Sequence, residues 1–363
     1  MRHINYILLL FIILSACHKK KEEKDGTQSL TEQKEKAQIV KEVDQGMPES
    51  EIVVFVLHRF NDQRFPSTSI STKKLKEIFE YLKSENIQVV SASEAVDLVY
   101  DNQADTIRRV VFTVDDGYQS FYTDGYPLFE NYGFPVTLFV NTESVGWSDY
   151  LGWDQLKELT KKGVEIGNHS HSHAHMLTIS HDTSAFFKHD LKKAHTLLAE
   201  RLAFKGIYAY PYGEHLEPFH RWLREEGYIA AFSQQSGVFH EQSNRYCIPR
   251  FPLNDALAEM AAVKEKVNMN ALRVDMNCQV GLQKSEKPAL IVVIKEKGLR
   301  MDQLQCFTGG GRCSITMNGN TVALKANSPL KGRRNKYTLT APDNKGKWHW
   351  FSYVFVNTEV PEN

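Results

Sequence analysis

The sequence predicts an α/β fold: a distorted (β/α) barrel of seven to eight units, followed by a small all-β sandwich domain. Three observations carry this expectation. Between Glu51 and Leu253, short apolar runs alternate with segments of helical period. Those runs are β-branched and nearly continuous, as strands buried on both faces are. From about Asn268 the helical period is lost, and short β-rich segments separated by Gly, Asn and Pro replace it.

Taken in order, Ile52–Leu57 is the first strand, and a helical pattern follows from Thr72 to Glu85. Val89-Val90, a helix from Ser93 to Tyr100 and the apolar strand Val110–Val114 come next. A helix from about Ser120 to Tyr132 leads to the strand Val136–Val140, whose start at Pro135 tolerates a missing N–H. Helix Asp154–Lys162 leads to Val164–Gly167, and a long helix from about Thr183 to Leu202 leads to Ile207–Tyr210. Helix Leu216–Glu226 leads to Ala230–Phe232, and Tyr246–Arg250 closes the series. The barrel so defined is 51–253. A connector, 254–267, contains a helical stretch at Leu257–Val267. The sandwich, 268–363, is read from Ala289–Lys295, Ser314–Met317, Thr321–Leu324 and Trp348–Val356. In the last of these, aromatics alternate on both faces. They fit either a sandwich core or a sugar-stacking platform.

The first residues stand apart. Arg2 precedes an apolar run, Ile4 to Leu14, too short for a bilayer, which needs roughly 20 residues. With Leu14-Ser15-Ala16-Cys17 after it, residues 1–17 read as a signal peptide. That ending resembles the lipobox of bacterial lipoproteins, in which the cysteine becomes the lipidated first residue. Residues 18–50, rich in Lys, Glu, Asp and Gln, read as a solvated tether. The expected location is the bacterial cell envelope, lipid-anchored through Cys17 at the outer membrane, on its periplasmic or surface face.

The 363 residues carry 44 basic and 44 acidic side chains, a balance that argues against a nucleic-acid partner. Export permits disulfides. Cys306 and Cys313 flank a glycine turn and could pair, Cys278 could compete for either, and Cys247 remains, so the connectivity stays open. No feature sets an oligomeric state.

Two motifs hold most of the chemistry. TVDDG, Thr113 to Gly117, puts Asp115 and Asp116 at the end of an apolar strand. GNHSHSH, Gly167 to His173, puts imidazoles four apart after another. One carboxylate and two imidazoles make a three-ligand site for a divalent cation, and the other carboxylate is left as a base. His169/His173 and His171/His175 share the spacing. The first pair directly follows the strand and is preferred, leaving the other two as exposed bystanders. His181, His189 and His195 lie on a polar helical stretch and read as solvated. His58, Asp115, Asp116, His169, Pro211 and Arg250 all fall at or just after strand ends, where such barrels carry their chemistry.

Glu51 to Leu253 resembles the polysaccharide deacetylase family, the NodB-homology carbohydrate esterases. TVDDG is similar to the family's TFDDG, GNHSHSH to H-[ST]-x-x-H, and Tyr210-Pro211-Tyr212-Gly213 to R-x-P-Y-G. The Trp153-Asp154 helix start and Phe134 to Phe139 also follow the family order. The resemblance implies metal-dependent removal of acetyl groups from an N-acetylated amino-sugar polymer. It makes Asp116, His169 and His173 ligands of a divalent cation, Zn²⁺ with Co²⁺, Ni²⁺ or Mn²⁺ as alternatives, and Asp115 the base. The sequence departs from the pattern twice. Ala209 stands where the family has an arginine that orients the aspartate, and Ile248-Pro249-Arg250 stands where it has a terminal L-x-L-H. The Leu57-His58-Arg59 start resembles the branch acting on poly-β-1,6-N-acetylglucosamine. His58 is therefore the candidate acid, and Arg250 or Arg59 the candidate orienting residue. The backbone N–H of Tyr212 is the candidate oxyanion donor. Other readings are an esterase or amidase acting on another acylated substrate, and a catalytically weak carbohydrate-binding lipoprotein.

Overall fold

The computed structural model describes residues 50–101, 107–179 and 182–362. The signal segment, Cys17, the tether up to residue 49 and His181 lie outside the described residues. Among the described residues there is no helix long and apolar enough to cross a membrane.

Eight parallel strands form the first sheet. They are β1 (Ile52–Leu57), β2 (Gln88–Val90), β3 (Arg109–Val114), β4 (Thr137–Val140), β5 (Glu165–Asn168), β6 (Ile207–Ala209), β7 (Ala230–Phe232) and β8 (Phe251–Pro252). Their order is β8–β1–β3–β4–β5–β6–β7, with β2 also on β3. β2 pairs with the first half of β3 and β4 with its end. Two strands thus share one edge, which splits the sheet and distorts the barrel. Tyr246–Arg250 is not a strand as expected. Ile248 makes a single bridge to Phe232, Pro249 has no N–H to extend the ladder, and regular pairing resumes at β8 on β1.

Seven helices separate or follow these strands among the described residues: α1 (Thr72–Ser84), α2 (Ala92–Tyr100), α3 (Tyr126–Tyr132), α4 (Trp153–Lys161), α5 (Thr183–Arg201), α6 (Glu217–Glu225) and α7 (Met260–Val267). Ser71, Ser91 and Asp182 cap α1, α2 and α5 by accepting from backbone N–H groups of the first turn. The stretch expected as one helix from Ser120 begins as a wide π turn over Phe121–Gly125. Pro127, at the start of α3, cannot donate back to the preceding turn.

Period-two alternation sorts the strand residues. Val53, Phe55, Leu57, Val110, Phe112 and Val114 face Leu75, Ile78, Phe79 and Leu82 of α1. Phe79 meets Phe112, Phe129 and Phe134 edge-on at 5.2, 4.9 and 5.0 Å, and its truncation to Ala would cost roughly 3–5 kcal/mol. Ile52, Val54, Val111, Phe139, Ile207, Ala209, Ala230 and Phe232 occupy the opposite, inner face. Gly167 lies on this inner row because a Cβ there would sit 2.4 Å from the Phe139 ring.

The second sheet is folded on itself around Leu290, Val292, Val322, Leu324, Tyr337, Leu339, Tyr353 and Phe355. Its long strands are Ala289–Ile294, Gln305–Thr308, Gly311–Asn318, Thr321–Ala326, Arg334–Pro342 and Trp348–Val356. Gln305–Thr308 and Arg334–Pro342 were not expected from sequence. Cys306 bonds to Cys313 across the hairpin, and Cys278 bonds to Cys247 of the barrel. Strand Trp348–Val356 has two structural faces. Phe351, Tyr353 and Phe355 join the second core, while Trp348 and Trp350 pack on the barrel's core. The Trp350 indole N–H donates to Ser236 Oγ at 3.0 Å. The aromatics of both faces thus take part in packing.

Candidate active site

β1 and β3 run in register with Leu57 beside Val114, and the Asp115 N–H donates to the Leu57 carbonyl at 2.9 Å. His58 and Asp115, next on the two inner rows, therefore rise together at the mouth. The chain then turns sharply. Six non-glycine residues among those described have a left-handed backbone, and four belong here: Asp116 (φ 75°), Ser170 (φ 71°), His173 (φ 50°) and Tyr212 (φ 57°). Such strain concentrates at functional sites. Gly213 (φ 68°) follows Tyr212, and a Cβ there would press 2.8 Å from the Gln234 backbone nitrogen.

These turns bring Asp116, His169 and His173 together, with one ligand atom from each within 4.8 Å of the others. Asp116 Oδ1 lies 3.3 Å from His169 Nε2 and 3.0 Å from His173 Nε2. Each imidazole is turned by its other nitrogen: His169 Nδ1 is 2.8 Å from the Ala209 carbonyl, and His173 Nδ1 is 3.1 Å from the Tyr212 hydroxyl. A carbonyl accepts only, so His169 donates from Nδ1 and presents a lone pair at Nε2. Asp116 Oδ1 is buried with no hydrogen-bond partner. A lone pair aimed at a buried, unpartnered carboxylate oxygen suits a cation between them, and an Asp–His–His donor set fits a divalent metal.

Burial would push the Asp116 carboxyl up, but His173 and His169 outweigh it and hold it well below the usual range. Burial would likewise lower His169, and the carboxylates of Asp115 and Asp116 reverse the sign and raise it.

Asp115 lies beside this group, 3.9 Å from His169 Nε2. Arg250 Nη1 and Nη2 donate to its two oxygens at 2.7 and 2.8 Å. The same guanidinium donates to Thr113 Oγ1 at 3.1 Å and to the Ser233 carbonyl at 2.9 Å. Burial acts to raise the Asp115 carboxyl, and Arg250 and His169 overcome it, so Asp115 stays ionised. Arg59 is engaged elsewhere, donating to Asp62 and Asp149 at 2.8 and 2.6 Å and lying 3.4 Å over the Tyr118 ring. Around it, Phe65, Tyr118, Tyr150 and the 57% exposed Trp147 form an aromatic face. His58 sits among the charged groups; burial lowers its pKa against the pull of Asp116 and Asp115. Burial pushes the Tyr212 hydroxyl up to about 12, so it stays protonated.

The remaining histidines differ from expectation. His171 and His175 are half-buried, not exposed. His171 Nδ1 is 2.9 Å from Thr142 Oγ1, and the His175 ring stacks on Tyr212 at 3.6 Å. His189 is exposed, whereas His195 packs against Phe204 and Tyr228. Sequence reading also missed Asp190 of α5. Its carboxylate accepts the N–H groups of His171 and Ser172 at 2.7 and 2.9 Å, folding the histidine loop. Asn141, whose amide donates to the Asp116 carbonyl at 3.2 Å, was missed as well.

Residues 102–231 match the family model described as polysaccharide deacetylase. A poly-beta-1,6-N-acetyl-D-glucosamine N-deacetylase of Escherichia coli is 26% identical over 297 residues, covering 68% of this chain and 44% of that protein. The chain thus spans less than half of that relative's length. Among solved structures, a Streptococcus pyogenes deacetylase, PplD, in complex with acetate has a TM-score of 0.55 at 16% identity, over 60% of this chain and 99% of that one. IcaB from Ammonifex degensii gives 0.53 at 23% identity, over 59% and 97%. Both share the fold of parallel strands curled into a barrel. Within the barrel, residues 102–231 are thus similar to the polysaccharide deacetylase family.

Proposed function

We propose that the chain removes N-acetyl groups from an amino-sugar polysaccharide by metal-dependent hydrolysis, releasing acetate and leaving a free amine. One observation carries this reading: Asp116 Oδ1 and the Nε2 atoms of His169 and His173 converge beside a second carboxylate, Asp115, clamped by Arg250. Asp116, His169 and His173 would hold the cation, with Zn²⁺ favoured and Co²⁺, Ni²⁺ or Mn²⁺ compatible with the same donors. Bound there, the cation supplies Lewis acidity, polarising the acetyl oxygen and lowering the pKa of water toward ~7.

The chain's own residues do the rest. Asp115, held ionised, takes the proton of the attacking water, as its placement next to the cation site suits. Arg250 fixes its plane and keeps it from acquiring a proton at rest. The Tyr212 backbone N–H donates to the oxyanion as the carbonyl becomes tetrahedral, a contact worth roughly 2.7–4 kcal/mol in such sites. His58 delivers a proton to the departing sugar nitrogen. Its lowered pKa makes the imidazolium a ready donor once charged. The C–N bond breaks, the amine leaves neutral and then takes up a proton from water. The aromatic face around Trp147 and Tyr150 offers rings on which sugar faces stack.

The Ile4 to Leu14 run and the Leu14-Ser15-Ala16-Cys17 ending support a lipid anchor at Cys17, in the cell envelope at the outer membrane. The tether would let the barrel reach a polymer near that surface. The test is acetate release from defined N-acetylglucosamine oligomers, with and without chelator. Chelator-sensitive release with one new amine per acetate is expected. Oligomer binding without release would overturn the reading in favour of a binding module.

A further inference from the structure

We propose that Arg333, contributed by the second sheet, is a positioning residue for the cation site, acting through Glu214, His175 and Tyr212 on His173. The proposal rests on the reading of Asp116, His169 and His173 as cation ligands.

The path is continuous. Arg333, 6% exposed, precedes strand Arg334–Pro342. Its Nε donates to Glu214 Oε1 at 2.7 Å and its Nη1 to the Val360 carbonyl at 2.9 Å. Glu214 has no exposed surface and closes the Pro211–Gly213 turn that carries Tyr212. The same Oε1 accepts from His175 Nδ1 at 3.0 Å. The His175 ring lies nearly parallel to Tyr212, 3.6 Å away and inclined by 16°. The Tyr212 hydroxyl is 3.1 Å from His173 Nδ1, and His173 Nε2 is 3.0 Å from Asp116 Oδ1. Arg334 adds a second hold from the same sheet, donating to the Tyr212 carbonyl at 3.4 Å.

A fully buried carboxylate is costly to leave without a cationic, hydrogen-bonded partner. For Glu214 that guanidinium comes from outside the barrel. Glu214 Oε1, accepting from Arg333 and from His175, fixes His175 in the tautomer that donates from Nδ1. The His175 ring then supports one face of Tyr212, a residue held in the left-handed region at φ 57°. The placed hydroxyl accepts from His173 Nδ1, which leaves Nε2 free to bind a cation. Groups that orient metal-binding imidazoles in this way typically change affinity or activity about 10–100-fold when lost.

The experiment uses the full chain and zinc alone, with dissociation constants from competition against a chromogenic chelator. Arg333→Gln is expected to raise the zinc dissociation constant by about 10-fold or more. Tyr212→Phe, which removes only the hydroxyl, is expected to raise it by a similar factor. Because both act through one contact, the double variant should bind no more weakly than Arg333→Gln alone, a non-additivity that a general loss of stability would not produce. Glu214→Gln removes the buried charge that Arg333→Gln would leave unpaired, and Glu214→Gln/Arg333→Gln should show the same weakening in a folded chain. Zinc affinity within twofold of wild type in these variants would overturn the proposal, as would additive effects of Arg333→Gln and Tyr212→Phe. Failure of the Glu214→Gln/Arg333→Gln chain to fold would also overturn it, assigning the pair a purely structural role. A wild-type chain that binds zinc but releases no acetate would overturn the functional reading and leave this one standing.

Discussion

Arg250 grips Asp115 through two parallel hydrogen bonds at 2.7 and 2.8 Å, with neither side chain exposed to solvent. The residues are 135 positions apart. Burying both charges is costly unless the donors are used, and Thr113 and Ser233 take two of the three guanidinium hydrogens that Asp115 leaves. Each carboxylate oxygen keeps a second lone pair, so the grip orients Asp115 without using up its capacity to accept a proton. Ala209 lies buried on the barrel's inner face, and Arg250 reaches Asp115 from the end of the barrel segment.

Replacing Arg250 by Lys keeps the charge and loses the two-pronged geometry. Turnover is expected to fall about 10–100-fold with zinc content unchanged. Arg250→Ala leaves a buried carboxylate unpaired and is expected to destabilise the fold by about 3–5 kcal/mol. Acetate release and denaturant midpoints check both; wild-type turnover in Arg250→Lys would show that orientation of Asp115 is immaterial.

His58→Gln preserves volume and polarity but cannot donate a proton from a charged form. A general acid is worth about 10²–10⁴ in rate, so kcat should drop by that order while zinc affinity is retained. If the variant turns over normally, the departing nitrogen is protonated by another group.

The Cys247–Cys278 bond ties the barrel to the second sheet across 31 residues. Cross-linking a loop of that length stabilises by roughly 3–4 kcal/mol in the chain-entropy treatment. Cys278→Ser should lower the unfolding free energy by that amount. An unchanged denaturant midpoint would mean that non-covalent contacts, among them Trp350 to Ser236 and Arg333 to Glu214, hold the joint without the disulfide.

Acid should unfold the chain through buried histidines away from the cation site. Burial lowers His220 and His240 to about 4, and His215 lies well below its ordinary value. His215 Nδ1 and His220 Nε2 share one hydrogen bond at 3.0 Å, so they cannot both carry full protonation there. Above pH ~6.5 these groups are neutral folded or unfolded and contribute nothing. As pH falls from there toward 4, the unfolded chain takes up protons that the folded chain refuses, so stability drops. His220 alone accounts for about 3 kcal/mol by the bottom of that window. Urea midpoints should hold level from pH 7.5 to about 6.5 and decline from there to pH 4.5; a flat profile throughout would contradict the burial assigned to these rings.

Much of this architecture was legible because it follows local periodicity. β1 matched the sequence reading at both ends because all six of its residues are buried. Asp115 and His58 were placed at strand ends, and period two put them on one inner face. The second sheet was harder. Arg334–Pro342 opens with charged residues and buries its later ones against distant strands, so its local pattern is weak. Asp190 reads as one more charge on a polar helix, and its role depends on where α5 lies against the histidine loop. Glu214, His175 and Arg333 carry no motif; only the meeting of two sheets shows that they touch. His171 and His175 looked equivalent to the preferred pair in spacing, and the turn at Ser170 and His173 separates their directions.

The most direct measurement is a zinc titration of the purified chain against a competing chelator, run in parallel with acetate release from an N-acetylglucosamine oligomer. One zinc per wild-type chain is expected, with release rising in proportion to occupancy, and no tight binding or release in Asp116→Ala. Full release from chelator-treated chain holding no metal, or tight zinc binding undiminished in Asp116→Ala, would contradict the assignment of Asp116, His169 and His173 as the cation site on which the hydrolysis depends.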